Sequence, residues 1–378
     1  MTKTISLRRT YKYRLYRNKR DEHLHQAINV AGLIWNRALA LSKRYYRRYG
    51  RSLSFNRMQK HLAKLRTKTG KYAFWRDLGS QAVQDVVQRL EKAFKRFFAK
   101  QGGFPRFKKV KQYRSFTLKQ AGWKLLGGNK IRVLGREYKM ILSRPIEGEI
   151  KTVTVKRDRL GRLWVCFSVV MDVEVAEAST GKIGGFDFGL KHFLTTDEGT
   201  RIESPQFFRH NMREIRNLNK QLSRKKRGSH NRHKARLRLA RAYERIANRR
   251  RDWFFKLAHR LCDEYDILCF ENLNMKAMQR MWGRKINDLG FSECLNIVES
   301  VAQKRGVEVV KINRWTPTSK MCSSCGKRHD LSLKDRVLRC ECGLEIDRDH
   351  NAAINIKRVG ASTCDRGKVR PVTAGGPV

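Results

Sequence analysis

Apolar and polar residues alternate at the start of the chain. Between residues 4 and 15, Ile5, Leu7, Tyr11, Tyr13 and Leu15 share one face, while Arg8, Lys12 and Arg14 share the other. A period of two predicts a strand with a basic outer face. The period then lengthens. Leu24, Ile28, Ala31, Trp35 and Ala38 recur every three or four residues, as do Phe55, Met58, Leu62 and Leu65, and later Val83, Val86, Leu90, Phe94 and Phe97. This spacing predicts a helical unit over residues 20–100. Gly102-Gly103-Phe104-Pro105 ends it, and residues 114–172 read as strands separated by glycine turns. Within them, Val153 and Val155 lead through Asp158-Arg159-Leu160-Gly161 into Trp164–Val170, a hairpin pattern. A strand, then helices, then strands suggests a β-barrel-like domain carrying a helical insertion rather than two sequential domains.

After Gly181 the pattern changes again. Ile183-Gly184-Gly185-Phe186-Asp187-Phe188-Gly189-Leu190 reads as an apolar strand interrupted by one carboxylate. Residues 193–196 and 201–202 read as short following strands. Leu239, Tyr243, Ile246, Trp253 and Leu257 keep a helical stripe, and the break at Gly228-Ser229-His230-Asn231 predicts two antiparallel helices. Ile267-Leu268-Cys269-Phe270 is a buried strand ending at Glu271, residues 291–305 are a helix, and Val307–Ile312 are another strand. From Gly360 onward the chain reads as a disordered tail.

Charge changes the picture most. The 378 residues hold 85 Lys and Arg against 34 Asp and Glu, a formal net charge of +51. A self-repelling charge of that size calls for a polyanion, and nucleic acid is the default partner. Sixteen of these cations stand in residues 213–251 against only Glu214 and Glu244, a density suited to phosphate contacts of little sequence preference. Tyr45, Tyr46, Trp75 and Trp123 could stack on bases, although core packing is the commoner role for any one of them. No stretch approaches the ~20 consecutive apolar residues of a membrane helix, and the start MTKTISLRRT has no signal-peptide core. No membrane association and a cytoplasmic location are expected.

The nine cysteines fit a reducing compartment. Cys166, Cys262, Cys269, Cys294 and Cys364 are scattered and read as small packing residues. The other four form Cys322-x-x-Cys325, fourteen residues, then Cys340-x-Cys342, with Gly326 and Gly343 behind each pair. Two such turns supply the four soft ligands of a tetrahedral Zn²⁺, a closed and therefore structural site; two vicinal disulfides are the competing reading. A second constellation is acidic. Asp187 lies mid-strand among apolar residues, Glu271 ends a buried strand, and Asp349 lies at a helix start in DRDHNAAINI. Buried carboxylates are costly unless paired or holding a metal. Three of them in a polyanion-binding chain suit a pair of Mg²⁺ ions for phosphodiester hydrolysis. For Asp197, Asp347 and Asp349 a turn or N-cap role competes.

These residues carry a resemblance. GGFDFGLKHFLTTDEG resembles the first motif of a RuvC-like, RNase H-fold nuclease, FENLN the second and DRDHNAAINI the third. With the four-Cys element before the third motif, TPTSKMCSSCG leading into it, and GFPRFK at 103–108, the chain resembles the TnpB family, transposon-encoded RNA-guided DNA endonucleases related to type V CRISPR effectors. The resemblance implies an α+β protein. Residues 1–19 and 101–180 would form a strand-rich, wedge-like domain, and 20–100 a helical recognition insertion. Residues 181–314 and 346–360 would form the RNase H-like RuvC nuclease domain, 315–345 the zinc element and 361–378 the tail. It further implies a guide RNA and target double-stranded DNA as partners, a prokaryotic cytoplasm, catalytic Mg²⁺ at Asp187, Glu271 and Asp349, and one Zn²⁺ at Cys322, Cys325, Cys340 and Cys342. In the third motif the family uses the acid directly before x-Asn-Ala-Ala, which selects Asp349 over Asp347. Two departures are the tighter CxC knuckle and Lys320, where the family often has Gln. Rival readings are a transposase proper, a nuclease-inactive RNA-guided DNA-binding regulator, and a ribosomal-type RNA-binding zinc protein. The intact acids and the placement of the zinc element argue against them.

Overall fold

The computed structural model describes residues 2–68, 70–176, 180–273, 278, 280, 283, 288–332 and 335–364. The chain divides into two units, Ser6–Asp172 and Met1–Ile5 with Val173–Val378. Among the described residues no helix is long and apolar enough to cross a membrane. The architecture is mixed α and β.

In the unit of residues 6–172, strand β1 (Thr2–Arg14) leads into helices α1 (Asp21–Tyr49), α2 (Phe55–Lys68) and α3 (Ser80–Phe98), with a 3-10 segment over Gly70–Leu78. Strands β2 (Ser115–Leu118), β6 (Glu149–Arg157) and β7 (Leu163–Ala176) follow, and the sheet order is β1-β7-β6-β2. Between them β3 (Trp123–Leu125), β4 (Lys130–Val133) and β5 (Arg136–Lys139) form an antiparallel meander. The helices that follow β1 share one core with the sheet: Leu24, Ile28, Val83 and Val86 pack in the same cluster as Tyr11, Phe116, Val153 and Phe167. Polar groups stitch the two layers. Asp85 accepts from the Thr117 amide at 3.0 Å, and Arg89 donates to the Ser115 carbonyl at 2.9 Å. The GFPRFK segment is held on α1 by Asn36, whose side chain donates to the Lys108 carbonyl and accepts from its amide, both at 2.8 Å. Trp75 is buried against Tyr72 and Phe74, so core packing claims it. Tyr46 is exposed.

The second unit holds a five-stranded sheet. Strands β8 (Ile183–Asp187), β9 (Leu194–Thr196) and β10 (Arg201–Ile202) are antiparallel neighbours. Strand β11 (Ile267–Glu271) runs parallel to β8 on one side and to β12 (Glu308–Ile312) on the other. The order is therefore β10-β9-β8-β11-β12. The short helix α4 (Phe207–His210), then α5 (Met212–Ser223) and α6 (His230–Glu264), connect β10 to β11. Ser229 caps α6 by accepting from the Arg232 amide at 3.2 Å, which is why a second helix restarts after Gly228. Ile215 packs on Ala242 and Ile246, so α5 and α6 fold back on each other. Of the sixteen cations in residues 213–251, all but Arg232 and Arg250 are exposed. Helix α7 (Phe291–Arg305) packs with α6 on one face of the sheet. Cys262 and Cys294 are buried there as packing residues, and Cys269 is buried on the opposite face.

Two expectations are corrected. Strand β8 ends at Asp187 rather than Leu190, because the chain turns tightly at Gly189, where a Cβ would stand 2.8 Å from the His192 carbonyl oxygen. Gly360 does not begin a tail: the last helix, α8 (Arg348–Ser362), runs through it. A Cβ at residue 360 would stand 2.3 Å from the Cys269 sulfur, so glycine is what lets this helix lie on the sheet. The tail from residue 365 lies outside the described residues.

Candidate functional site

Asp187 and Glu271 are the last residues of adjacent parallel strands. The register pairs Phe270 with Phe186, so Glu271 comes opposite Asp187. Paired residues in parallel neighbours point to the same face, and alternation assigns the faces. Phe186 and Phe270 stack at 5.1 Å on the α7 side. Residues 185, 187, 269 and 271 therefore point the other way, toward α8.

Helix α8 lies against that face because two glycines leave room. A Cβ on Gly185 would stand 2.1 Å from the Ala353 carbonyl oxygen, and Gly360 rests on Cys269. Asp349, Ala353, Ile356 and Gly360 follow at i, i+4, i+7 and i+11, one stripe of the helix. Asp349 thus projects toward the strand ends. Its Oδ2 would stand 3.6 Å from a Cβ at Gly189, two residues past Asp187.

Asp187 feels the other two carboxylates. Burial, then Asp349, then Glu271 push the Asp187 carboxyl up to about 8. Burial also raises Glu271. Among the described residues none of the three carboxyls accepts a hydrogen bond or pairs with a cation within 4 Å. Neighbouring acids differ. Asp266 accepts from Thr180 and Gly181. Asp197, its side chain only 5% exposed, accepts from the Gly185 amide at 2.9 Å and pairs with Lys357 at 2.5 Å. Asp347 caps α8, accepting from the Asp349 and His350 amides at 3.0 and 3.2 Å, while its other oxygen pairs with Arg201 at 3.0 Å. The turn and cap roles weighed for Asp197 and Asp347 are what these residues perform, and Asp349 is left unpartnered. A half-buried cluster of acceptors without donors has the chemistry of a hard-cation site.

The four cysteines form a tighter group. Their sulfurs lie within 4.8 Å of one another, the only such set of three or more ligand atoms among the described residues. The acids stand wider. Cys322 and Cys342 sulfurs are 3.7 Å apart, Cys325 and Cys340 3.4 Å. Disulfides at ~2.05 Å are excluded. Tetrahedral ligands ~2.3 Å from a metal would be just under 4 Å apart. Strands β13 (Val337–Arg339) and β14 (Glu345–Asp347) form a hairpin carrying Cys340 and Cys342. Gly326 and Gly343 have φ of +78° and +89°, and their amides donate to the Cys322 and Cys340 carbonyls at 3.0 Å. Only glycine takes that turn without strain. The Leu344 amide pulls the Cys342 thiol down to about 6. Lys320 pairs with the exposed Asp330 at 2.8 Å, at the edge of this ribbon.

Sequence reasoning missed how the ribbon meets α8. Asn351 and Asn355, both buried, donate to the carbonyls of Thr318 and Met321. Their signal was the i, i+4 spacing of two amides in the otherwise apolar stretch Asn351–Ile356.

Residues 166–281 match the OrfB_IS605 family model, described as "Probable transposase", and residues 291–356 match the model of the Cas12f1-like TNB domain. A Streptomyces pristinaespiralis protein named "Putative RNA-guided DNA endonuclease" is 33% identical over 97% of this chain and 92% of its own length. The TnpB-like protein L79 of Acanthamoeba polyphaga mimivirus is 30% identical over 59% of this chain and 46% of its own. The solved structure of the mini-RNA-guided endonuclease CRISPR-Cas phi3 superposes with a TM-score of 0.45 at 10% identity, covering 98% of this chain and 94% of that one. Sharing a third of its residues with a relative along nearly the whole of both chains, this chain belongs to the TnpB family.

Proposed function

We propose that the protein is an RNA-guided DNA endonuclease that holds a guide RNA, recognises a short motif beside its target and hydrolyses phosphodiester bonds of the DNA at one RuvC-like site. The observation that carries the reading is the trio Asp187, Glu271 and Asp349, gathered at the strand ends with no donor of their own among the described residues. The mixed sheet, with two acids at the ends of adjacent parallel strands and a helix delivering the third, supports an RNase H-like nuclease domain.

The donor set fits Mg²⁺. All three ligands are hard oxygens, and Asp187 holds its proton near neutral pH unless a cation offsets the neighbouring charge. When bound, a pair of Mg²⁺ ions supplies activation of water and neutralisation of charge at the reacting phosphate. The protein's own part is positional. The strand ends orient Asp187 and Glu271, the capped start of α8 aims Asp349, and the exposed cations of α5 and α6 hold the phosphate backbone. The four thiolates fit one structural Zn²⁺, leaving no open position. The guide would read sequence by base pairing while the protein reads shape and backbone. A transposon-derived guide, the domain limits drawn from the sequence, and a cytoplasmic site of action belong to the same proposal.

The test is cleavage and binding with one RNA, one DNA and Mg²⁺ for Asp187→Ala, Glu271→Ala, Asp349→Ala and Asp347→Ala. The first three should bind target and not cut, and the fourth should cut. Four variants that all cut normally would refute the nuclease reading. A strand-transfer product in place of hydrolysed ends would favour a transposase.

A further inference from the structure

Helix α8 is gripped along two stripes. One stripe, Asp349, Ala353, Ile356 and Gly360, lies on the sheet, with Gly185 and Cys269 as its seats. The other stripe is Asn351, Asn355 and Arg358, again at i, i+4 and i+7. It faces the segment Thr318–Ser323 that leads into the first knuckle. Asn355 donates to the Thr318 and Met321 carbonyls at 2.8 and 2.7 Å. Asn351 donates to the same two carbonyls at 3.4 and 2.8 Å and accepts from the Ser323 amide at 2.9 Å. Arg358 donates to the Ser323 carbonyl at 2.5 Å. The ribbon reaches α8 a second way, because β14 ends at Asp347, the cap of the helix.

We propose that Asn351, Asn355 and Arg358 are positioning residues that make the four-cysteine ribbon set the axial and rotational place of Asp349. The inference rests on the nuclease reading and extends it to the ribbon. On the sheet side the stripe itself makes small and apolar contacts, and beside it His350 meets the Asp197 carbonyl at 3.0 Å and Lys357 pairs with the Asp197 carboxylate, so a single residue takes both polar contacts, whereas the ribbon takes hydrogen bonds at three backbone positions, Thr318, Met321 and Ser323. Hydrogen bonds from an amide to fixed carbonyls are directional. A rotation of α8 that keeps Ala353 on the sheet would carry Asp349 away from Asp187 and break the ribbon bonds together. Buried amides and carbonyls left unpaired cost enough to forbid that movement. Closing the thiolates around a metal would therefore complete the acid site, although no cysteine belongs to it.

The experiment uses the full chain with the RNA that co-purifies with it, carrying Asn355→Ala or Arg358→Ala. Three quantities are measured: the single-turnover cleavage rate at saturating DNA, KM for DNA, and Mn²⁺ affinity by calorimetry without DNA. Asn355→Ala should lower the rate and weaken Mn²⁺ binding by about 10–100-fold with KM unchanged, the usual effect of removing an outer support of a metal ligand. Arg358, at the exposed end of the ribbon stripe, should give a smaller loss in the same direction. Stripping the four-cysteine metal from the unmutated chain should weaken Mn²⁺ binding too, and adding Zn²⁺ should restore it. Wild-type rate and Mn²⁺ affinity in a folded Asn355→Ala protein would overturn the proposal. If that variant does not fold, wild-type values for Arg358→Ala overturn it instead. Glu271→Gln is the control: if it cuts normally the nuclease reading has failed, whereas a dead Glu271→Gln beside a fully active Asn355→Ala refutes the positioning role alone.

Discussion

The thiols of the second unit come from two short turns between residues 322 and 342, each closed by a glycine amide on the carbonyl of the first cysteine of its pair. The carboxylates come from residues 187, 271 and 349, two on strands and one on a helix. Both groups gather like charges, but local backbone geometry brings the sulfurs within 4.8 Å of one another, whereas the acids meet only when β8, β11 and α8 are packed. The thiolate group is closed and has no position for a substrate. The acid group is wider, half-buried and short of donors, which suits a cation that must also meet a phosphate. A closed local site stabilises a fold, and an open long-range site uses one.

The sharpest way to break this contrast is to remove a ligand from the open site. Asp187→Ala, Glu271→Ala and Asp349→Ala should each lower cleavage by about 10³-fold or more, since metal-borne charge stabilisation is worth several kcal/mol. Target binding should stay within a few-fold, because affinity is spread over many phosphate contacts and base pairs. A comparable loss of binding, measured by filter retention, would mean that the acids support the fold rather than the chemistry.

The closed site should behave in the reverse order. Cys322→Ser or Cys340→Ser should lower the melting temperature and the zinc content together, because binding energy there is folding energy. Cleavage should fall as a consequence. Protein purified under reducing conditions that carries no zinc and melts unchanged would sink this half of the comparison.

The open site also has a pH signature. Asp187 holds its proton in the folded protein up to about 8, whereas an ordinary carboxyl releases it near 3.9. The folded state therefore binds the extra proton, and without divalent cations stability should decline as pH rises between about 4 and about 8, by on the order of a few kcal/mol. Asp187→Asn should flatten that slope, as should added Mg²⁺. Equal slopes for the variant and the parent in chelator would show that Asp187 is not the group responsible.

The smallest effect separates neighbouring acids. Asp347→Ala removes a helix cap and an ion pair with Arg201, so a loss of about 1 kcal/mol is expected with cleavage retained. If Asp347→Ala is dead and Asp349→Ala is active in the same assay, the third ligand is misassigned.

Much of this was legible in advance. The Cys-x-x-Cys and Cys-x-Cys turns with their glycines, the apolar strand that holds Asp187, the strand ending at Glu271, and the helix beginning near Asp349 follow from local pattern, since spacing and turn chemistry act within a few residues. The cationic stretch from 213 to 251 was equally plain, and all but two of its cations are exposed. Other features were beyond reach. Gly360 reads as a breaker in any local window, yet it lies inside α8 because Cys269, distant in sequence, occupies the space where a Cβ would be. Only the family resemblance chose Asp349 over Asp347, because local pattern offers both as caps; the fold hands one to helix amides and Arg201 and leaves the other facing Asp187. Asn351 and Asn355 are polar residues on a buried helix, and nothing nearby in sequence says that the Thr318 and Met321 carbonyls receive them. The sequence by itself determined which side chains could bind metal and phosphate, because that chemistry belongs to the residue types and their short-range spacing. Tertiary structure decided which acids stay unpartnered and where the last helix sits, because close approach and hydrogen-bond pairing depend on surfaces from segments far apart in the chain.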